Sequence, residues 1–438
     1  MRNGDGRRRH LLSGQILALG SLPLETVHGP FRAHVGRNLA TGSVALAVTR
    51  GDFTSAEPLL VRIHSSCVTS ETFGGRDCDC VEQLDAALAR IAAMGRGVVF
   101  YLMQEGRGAG FAAKARDRML VQASGNRLTT FEAYARMGLE RDHRRYDEVA
   151  FLCRLLGVRA PLTLLTSNPE KLAALRGATG LAIPDAVPVA QSPSPWNHHY
   201  IAAKSRSGHR LADPGEASAA SALPEAVDEF EPYALADAPR FVHVATYLLP
   251  IRSHPAAANG DAGAPIWFRL HAYYDLVSRA DRVVLEHGPR AAATPLVRIE
   301  RESLLARFPL ARATDGGARK ALWHEAVRRI AEAGAGCATV VPAIGFDDAL
   351  RERNAALGPS LALLARHVRG SRVRLLVGSG GARAADEERF AARSGHLLAE
   401  AGVDLAAPVA IGFAAAGDGS ACAPRPEARA DAPARRGE

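Results

Sequence analysis

The chain opens with short runs rich in β-branched and apolar residues: ILALGSLPL at 16 to 24, FRAHVGR at 31 to 37, SVALAVTRG at 43 to 51 and PLLVRIHSS at 58 to 66. Gly and Pro punctuate them, and each predicts a strand. The period then changes. In VEQLDAALARIAAMG, Leu84, Leu88, Ile91 and Met94 recur at helical spacing, which predicts a helix ending at Gly95. A continuous apolar run, VVFYLM at 98 to 103, predicts a buried strand that delivers the chain to a glycine-rich loop, QEGRGAG. Residues 112 to 157 read as helical and LTLLTSN as a further strand, after which Asn168 caps a helix that has Pro169 in its first position. Strands alternating with helices predict an α/β fold, a mixed sheet with helices in the α+β manner.

The pattern then repeats. GPFRAHV at 29 to 35 matches PIWFRLHA at 265 to 272, PLLVRIHSS matches TPLVRIERES at 294 to 303, ARIAAMGRGVVF matches RRIAEAGAGCATVV, and LTLLTSN matches VRLLVGSG, all in order. The offset is 236 to 239 residues as far as the helix at 91 but 211 at LLTSN, so about 28 residues are missing from the second copy. The expected organisation is a disordered start (1–11), a first unit (12–212), a linker rich in Ala, Ser, Pro and acids (213–238), a degenerate repeat (239–414) and a disordered tail (415–438).

Composition narrows the function. A chain of 438 residues, 47% hydrophobic, buries a substantial core and has room for two or three domains. Its net charge of +8 is carried almost wholly by arginine, and Lys114, Lys171, Lys204 and Lys320 are the only lysines. A lysine kept in such a chain marks a place where a compact, flexible ammonium is needed. Basic runs interleaved with aromatics are absent, so anionic small molecules, not nucleic acid, are the expected partners. No stretch of about eighteen unbroken apolar residues is present, so no membrane span is expected. The basic start before an apolar segment is broken by Ser13, Gly14 and Gln15, and the six cysteines are bunched; both features favour the cytoplasm.

Three of those cysteines, Cys67, Cys78 and Cys80, fall within fourteen residues. Thiolate is a soft zinc ligand, and three such ligands leave the fourth tetrahedral position open for water, whose pKa zinc lowers to about 7. His64 could instead close the shell and make the site structural. In the second copy Ser303 stands where Cys67 does, and no CxC occurs near 314 to 316.

HSSCVTSETFGGRDCDCVEQL, GRGVVFYLMQEGRGAG, LLTSNPEK and NHHYIAAKSRSGHRL together resemble GTP cyclohydrolase II, over about residues 20 to 212. The resemblance implies a cytoplasmic zinc hydrolase that opens the imidazole ring of GTP at C8. Formate and diphosphate are released with the help of Mg2+, giving 2,5-diamino-6-ribosylamino-pyrimidinone 5'-phosphate for riboflavin synthesis. By the family pattern Cys67, Cys78 and Cys80 hold zinc. Arg62, Ile63, His64, Ser65, Ser66, Gln83, Glu105, Gly106, Arg107, Lys114, Thr129 or Thr130, Thr166 and Lys171 contact the nucleotide. Asp142 in GLERDHRRYDE matches the proton acceptor, and Arg144 the arginine that engages the α-phosphate. The family pairs its subunits, so the second copy is expected to form a pseudo-dimer within the chain, the alternative being a homodimer.

The chain departs from the family at Ser66, where glutamate is usual, and at Ser70-Glu71, where glycine-aspartate is usual. The family's functional tyrosine is replaced by Arg118 or Met119, depending on the alignment. Two alternatives to full turnover follow: a reaction that stops at a formamidopyrimidine nucleotide, or a nucleotide-binding regulator without turnover.

Overall fold

The computed structural model describes residues 12–179, 182–189, 193–211, 223–253, 263–289, 292–311, 313–342, 349–379 and 384–412. The termini expected to be disordered, 1–11 and 415–438, and residues 213–222 of the expected linker lie outside the described residues. No helix among the described residues is long and apolar enough to cross a membrane.

The first unit starts with an antiparallel meander, β1 (Leu12–Ser13), β2 (Ile16–Thr26), β3 (Gly29–Asn38) and β4 (Val44–Arg50). It continues through β5 (Leu59–Ser65), α1 (Val68–Glu71), α2 (Cys80–Met94) and β6 (Gly97–Leu102). Three helices fill the region read as helical: α3 (Phe111–Ala123), α4 (Thr130–Arg136) and α5 (Asp147–Leu156). The unit closes with β7 (Leu162–Leu165), α6 (Pro169–Thr179), β8 (Asp185–Val187) and α7 (His198–Arg206). The sheet order is β1-β2-β3-β4-β6-β5-β7-β8, with β5 parallel to both β6 and β7. Burial on both faces explains why β4, β5 and β6 read as near-continuous apolar runs.

Helix α2 buries Leu84, Leu88 and Ile91 and ends at Gly95, whose φ of 73° is the left-handed turn that favours glycine. Met94, counted with the same apolar stripe, is 64% exposed. It is the last residue of the helix, and its side chain overhangs the end of the packed face.

The second unit comprises β9 (Tyr233–Leu235), β10 (Ala238–Ile251), β11 (Ile266–Asp275), β12 (Ala280–His287), β13 (Leu296–Arg301), α8 (Asp315–Glu332), β14 (Gly336–Val341), α9 (Ala349–His367), β15 (Arg372–Ser379), α10 (Ala384–Glu400), β16 (Asp404–Leu405) and β17 (Val409–Gly412). Its central order, β10-β11-β12-β14-β13-β15, reproduces β2-β3-β4-β6-β5-β7, and the registers agree pair by pair. Ala47 faces His34 and Phe100 in the first sheet; Val284 faces His271 and Thr339 in the second. Leu60 pairs with Thr163, and Leu296 with Arg374, the same 211-residue offset that the sequence shows there.

The two units share a core. Phe73, Phe111, Met119 and Leu120 pack in one cluster with Tyr247, Leu249, Leu322 and Trp323, and Phe308 and Leu310 enter the first unit's cluster. The α3 helix lies along β10, where Gln122 both accepts from Leu248 N (2.7 Å) and donates to Leu248 O (2.8 Å). Residues 223–238, within the stretch read as linker, are seated on the protein: Phe230 joins the shared cluster and Glu231 pairs with Arg116.

Candidate active site

The cysteine cluster is assembled where β5 ends and α2 begins. Cys67 precedes the single-turn α1, and Cys78 and Cys80 bracket the start of α2. The three sulfurs lie within 4.8 Å of one another, with Cys67 Sγ and Cys78 Sγ 3.6 Å apart. No other His, Cys, Asp or Glu among the described residues joins the group. Hydrogen bonds from Cys78 and Cys80, assisted by the Lys114 ammonium, hold the Cys67 thiol well below its usual pKa. The contact each makes with Cys67, together with burial, pushes the Cys78 and Cys80 thiols up. Three clustered sulfurs, Cys67 and Cys78 buried and Cys80 at the cleft, form a donor set that a divalent cation would stabilise as thiolates.

His64 is turned away from the sulfurs. Its Nε2 lies 2.8 Å from Glu71 Oε1, which also accepts the Cys67 N–H at 3.1 Å; the Tyr101 hydroxyl donates to the other Glu71 oxygen. Glu71 is fully buried, so this departure from the family is an internal strut of the cysteine loop. Its neighbour Ser70 accepts the Val81 N–H at 3.1 Å and so ties the loop to the start of α2.

An open cleft of about 1000 Å³ lies against the cluster. Its wall includes Arg62, His64, Ser65, Ser66, Cys67, Cys80 and Gln83 from the β5–α2 side. Glu105, Gly106, Arg107, Lys114, Thr130 and Arg144 come from the glycine loop and the helices after it, and Thr166 and Lys171 from the far edge. Four residues named from the sequence stand outside this wall. Cys78 is behind it at 1% exposure, and Ile63 is in the core, with its carbonyl accepting from Lys171 Nζ at 2.6 Å. Thr129 is the N-cap of α4, in a capping box with Glu132. Asp142 is ion-paired with Arg144, which lines the cleft.

Positive charge dominates the cleft. Burial lowers the Arg62 pKa to about 10, and burial with the Arg62 and Arg144 charges drives Lys171 well below its usual value. His209 is held near 4 by burial and by Lys204, Arg107 and Arg144. Cations packed this closely are short of negative charge, which an anionic ligand supplies. At the cleft edge Asn168 Oδ1 accepts from Glu170 N (2.9 Å) and Lys171 N (3.3 Å), the N-cap expected for α6.

The glycine loop lets a second segment approach. Gly108 has φ +85°, and a Cβ there would meet the His143 carbonyl carbon at 2.8 Å. His143 N donates to Arg107 O (2.9 Å), which ties the 142–144 segment to the loop and brings Arg144 to the cleft. Asp142 and Arg144 are ion-paired, and Arg144 Nε donates to Asp142 Oδ1 at 2.8 Å. Burial alone would raise the Asp142 pKa, but the Arg144 hydrogen bonds outweigh it and hold the carboxyl ionised. Both Glu105 oxygens are engaged, one by Lys114 Nζ (2.7 Å) and one by Val68 N (2.8 Å), while burial raises its pKa to about 7.

Arg118 and Met119, the two candidates for the tyrosine position, occupy different surroundings. Met119 is wholly buried in the core shared with the second unit, whereas Arg118 lines the cleft. Arg118 pairs with Asp77 (3.1 Å) and lies over the Tyr200 ring, 4.7 Å from its centroid. Tyr200, Tyr134 and Asp117 also line the cleft and were not singled out from the sequence. Tyr200 was legible in one respect: it stands one helical turn before Lys204, whose ammonium lies 4.2 Å from its ring centroid and 2.8 Å from Asp79 Oδ1.

The GTP cyclohydrolase II family model matches residues 18–188. A protein named GTP cyclohydrolase-2 from Azotobacter vinelandii is 39% identical over 197 residues, 45% of this chain and 92% of that protein. Its namesake from Shewanella frigidimarina is 36% identical over 203 residues, 46% of this chain and 97% of that protein. The riboflavin biosynthesis protein RibBA of Phocaeicola vulgatus is 40% identical over 189 residues, 43% of this chain and 46% of that protein. The chain therefore spans about half the length of the RibBA relatives it matches.

Proposed function

Because the chain belongs to the GTP cyclohydrolase II family, we propose that its first unit opens the imidazole ring of GTP by hydrolysis at C8. Formate and diphosphate are released, and the product is the 2,5-diamino-6-ribosylamino-pyrimidinone 5'-phosphate that feeds riboflavin-type synthesis. The observation that carries the reading is three converging sulfurs, with no fourth protein ligand among the described residues, at the wall of a cation-lined cleft.

Cys67, Cys78 and Cys80 would hold zinc, which supplies an activated water at neutral pH and polarises the carbon it attacks. The rest is done by the chain's own side chains. Arg62, Lys171, Arg144 and Arg107 bind the triphosphate, with Mg2+ sharing its charge. Lys114 Nζ lies 3.1 Å from Cys67 Sγ, 2.8 Å from Thr69 Oγ1 and 2.7 Å from Glu105 Oε1, and so fixes the sulfur it touches. Asp142, ionised and oriented by Arg144, takes the proton that the attacking water sheds. Tyr200 and Arg118 cover the base side of the cleft.

The second unit is a degenerate copy in this reading. It has Ser303 in place of Cys67 and packs on the first unit as the other half of a pseudo-dimer.

A second reading is suggested by Arg118, which lines the cleft and is one of the two residues that could stand in place of the family's tyrosine. Without that hydroxyl the first hydrolysis can proceed while the formyl group is retained. Incubating the chain with GTP, zinc and magnesium separates the readings. Full turnover gives loss of the purine absorption with stoichiometric formate, and the shortened reaction gives the spectral change without formate. Asp142→Asn is expected to lower either rate by about 10²- to 10⁴-fold while zinc and GTP remain bound. A wild-type chain that binds GTP with no spectral change would overturn both readings and leave a nucleotide-binding regulator.

A further inference from the structure

Outside the cleft, the second unit carries another convergence of metal-type side chains. His271 on β11, Glu286 on β12 and His367, the last residue of α9, each bring one ligand atom within 4.8 Å of the others. Glu286 Oε2 lies 2.9 Å from His367 Nδ1 and 3.5 Å from His271 Nε2. Their side chains are 2%, 6% and 3% exposed respectively.

We propose that these three side chains bind a divalent ion of the zinc class and fasten the end of α9 to the sheet. Zinc bonds to imidazole nitrogen and carboxylate oxygen are about 2.0 to 2.2 Å, so tetrahedral ligand atoms stand about 3.4 Å apart. The spacings observed bracket that value and close onto it with small side-chain rotations. Two imidazoles and a carboxylate are a borderline donor set that suits zinc over magnesium or calcium.

The surroundings aim each ligand inward. His271 holds Thr246 Oγ1 at 2.9 Å through its other nitrogen, Nδ1, and His367 holds the Tyr273 hydroxyl at 2.8 Å through Nε2. Arg269 Nη2 donates to the second Glu286 oxygen at 3.2 Å. Outer hydrogen bonds of this kind fix the tautomer and orientation of metal-binding imidazoles.

The first unit provides an internal comparison, because the two sheets share a register. Arg32 faces Thr49 in one sheet as Arg269 faces Glu286 in the other, and His34 occupies the place of His271. In the first unit His34 Nε2 simply bonds Thr49 Oγ1 at 3.0 Å. The helix before β7 ends at Leu156, which the 211-residue offset aligns with His367. A hydroxyl and a leucine in the first unit have thus become a carboxylate and an imidazole in the second. Burying those two groups is costly unless each polar atom is answered; Arg269 answers one Glu286 oxygen, and a bound cation would answer the other, Oε2, which faces both imidazoles. The nucleotide cleft uses none of the three residues, so this site does not depend on the proposed reaction. Their burial suits a fastening role, not substrate handling.

The test uses the full chain, loaded with zinc, desalted and assayed for metal. The wild type is expected to hold two zinc ions, the Cys67→Ser, Cys78→Ser, Cys80→Ser variant one, and that variant with Glu286→Gln none. Zinc should also raise the melting temperature of the cysteine variant but not of its Glu286→Gln derivative. If the cysteine variant fails to fold, His367→Gln in the otherwise wild-type chain answers the same question. Zinc should fall from two to one, and the thiolate-to-cobalt charge-transfer band of the cobalt-loaded protein should be unchanged. One zinc per chain in both wild type and His367→Gln, or a cysteine variant that folds but holds none, would overturn the proposal.

Discussion

Trp323 provides a test of whether the second unit supports the metal loop of the first. It is 2% exposed on α8, its indole N–H donates to Phe73 O at 3.0 Å, and its ring centroid is 6.1 Å from that of Phe73. Phe73 lies in the segment that joins Cys67 to Cys78, and β10 and the residue after it hold the part that follows. Arg76 N donates to Pro250 O (2.8 Å), Arg252 N donates to Gly74 O (3.0 Å), and Gly75 bridges to Ile251. Trp323→Phe removes the donor and leaves a smaller ring. A buried carbonyl deprived of its donor costs about 1 to 3 kcal/mol, and full truncation of a buried aromatic costs about 3 to 5 kcal/mol. A loss of about 2 kcal/mol is therefore expected for the conservative change, equivalent to about thirtyfold in an equilibrium constant. Circular dichroism during urea unfolding reads the stability loss, and competition with a chromogenic chelator reads zinc affinity. Because the perturbed loop lies between two of the proposed zinc ligands, zinc affinity should fall too, by at most that thirtyfold. Zinc affinity equal to the wild type's beside a lowered unfolding midpoint would refute the reasoning: the second unit would then stabilise the chain without shaping the metal site.

Two further outcomes follow from buried charge. Lys204→Met leaves the fully buried Asp79 without its ammonium partner 2.8 Å away and is expected to cost about 3 to 5 kcal/mol. Adding Asp79→Asn should restore part of the melting temperature, and no recovery would show that the pair matters only for packing. Burial lowers the Lys320 pKa from 10.5 to about 8, so between those values the unfolded chain holds a proton that the folded chain has shed. Stability should therefore rise with pH across that window, by at most about 1.4 kcal/mol per pH unit, with the burial penalty fully present below it. Lys320→Met should flatten the rise in a pH series of melting curves, and an unchanged slope would assign it to other groups.

The parts of the fold legible in the sequence were those that local periodicity controls. The α2 stripe, the stop at Gly95 and the Asn168 cap needed only nearest neighbours along the chain, and the structure has all three. The similar strand order of the two sheets was legible in the matching segments, since equal registers call for similar apolar patterns. Contacts between the units were not legible. Nothing in α8 distinguishes Trp323 from an ordinary core tryptophan until the Phe73 carbonyl is placed beside it. Composition also misled at 223–238, where Pro, Ala and acidic residues read as a free linker. There Phe230 joins the shared core, and Glu225, Glu229 and Glu231 pair with Arg269, Arg136 and Arg116.

The four lysines join these levels. In a chain that otherwise uses arginine, each surviving ammonium occupies a place that a planar fork fits poorly. Lys114 has acceptors of three kinds, a sulfur, a hydroxyl and a carboxylate, on different elements. Lys204 reaches a single buried carboxylate oxygen beneath a tyrosine ring, Lys171 a single carbonyl, and Lys320 two consecutive carbonyls, Arg307 O and Phe308 O. A guanidinium carries five donors in one plane, several of which would be stranded at each of these sites. Three of the lysines line the cation-rich cleft, while the fourth secures the segment by which the second unit meets the first. Lysine retention thus follows the demands of the cysteine cleft and of the unit that braces it, so the second unit belongs to the same physical design as the cleft.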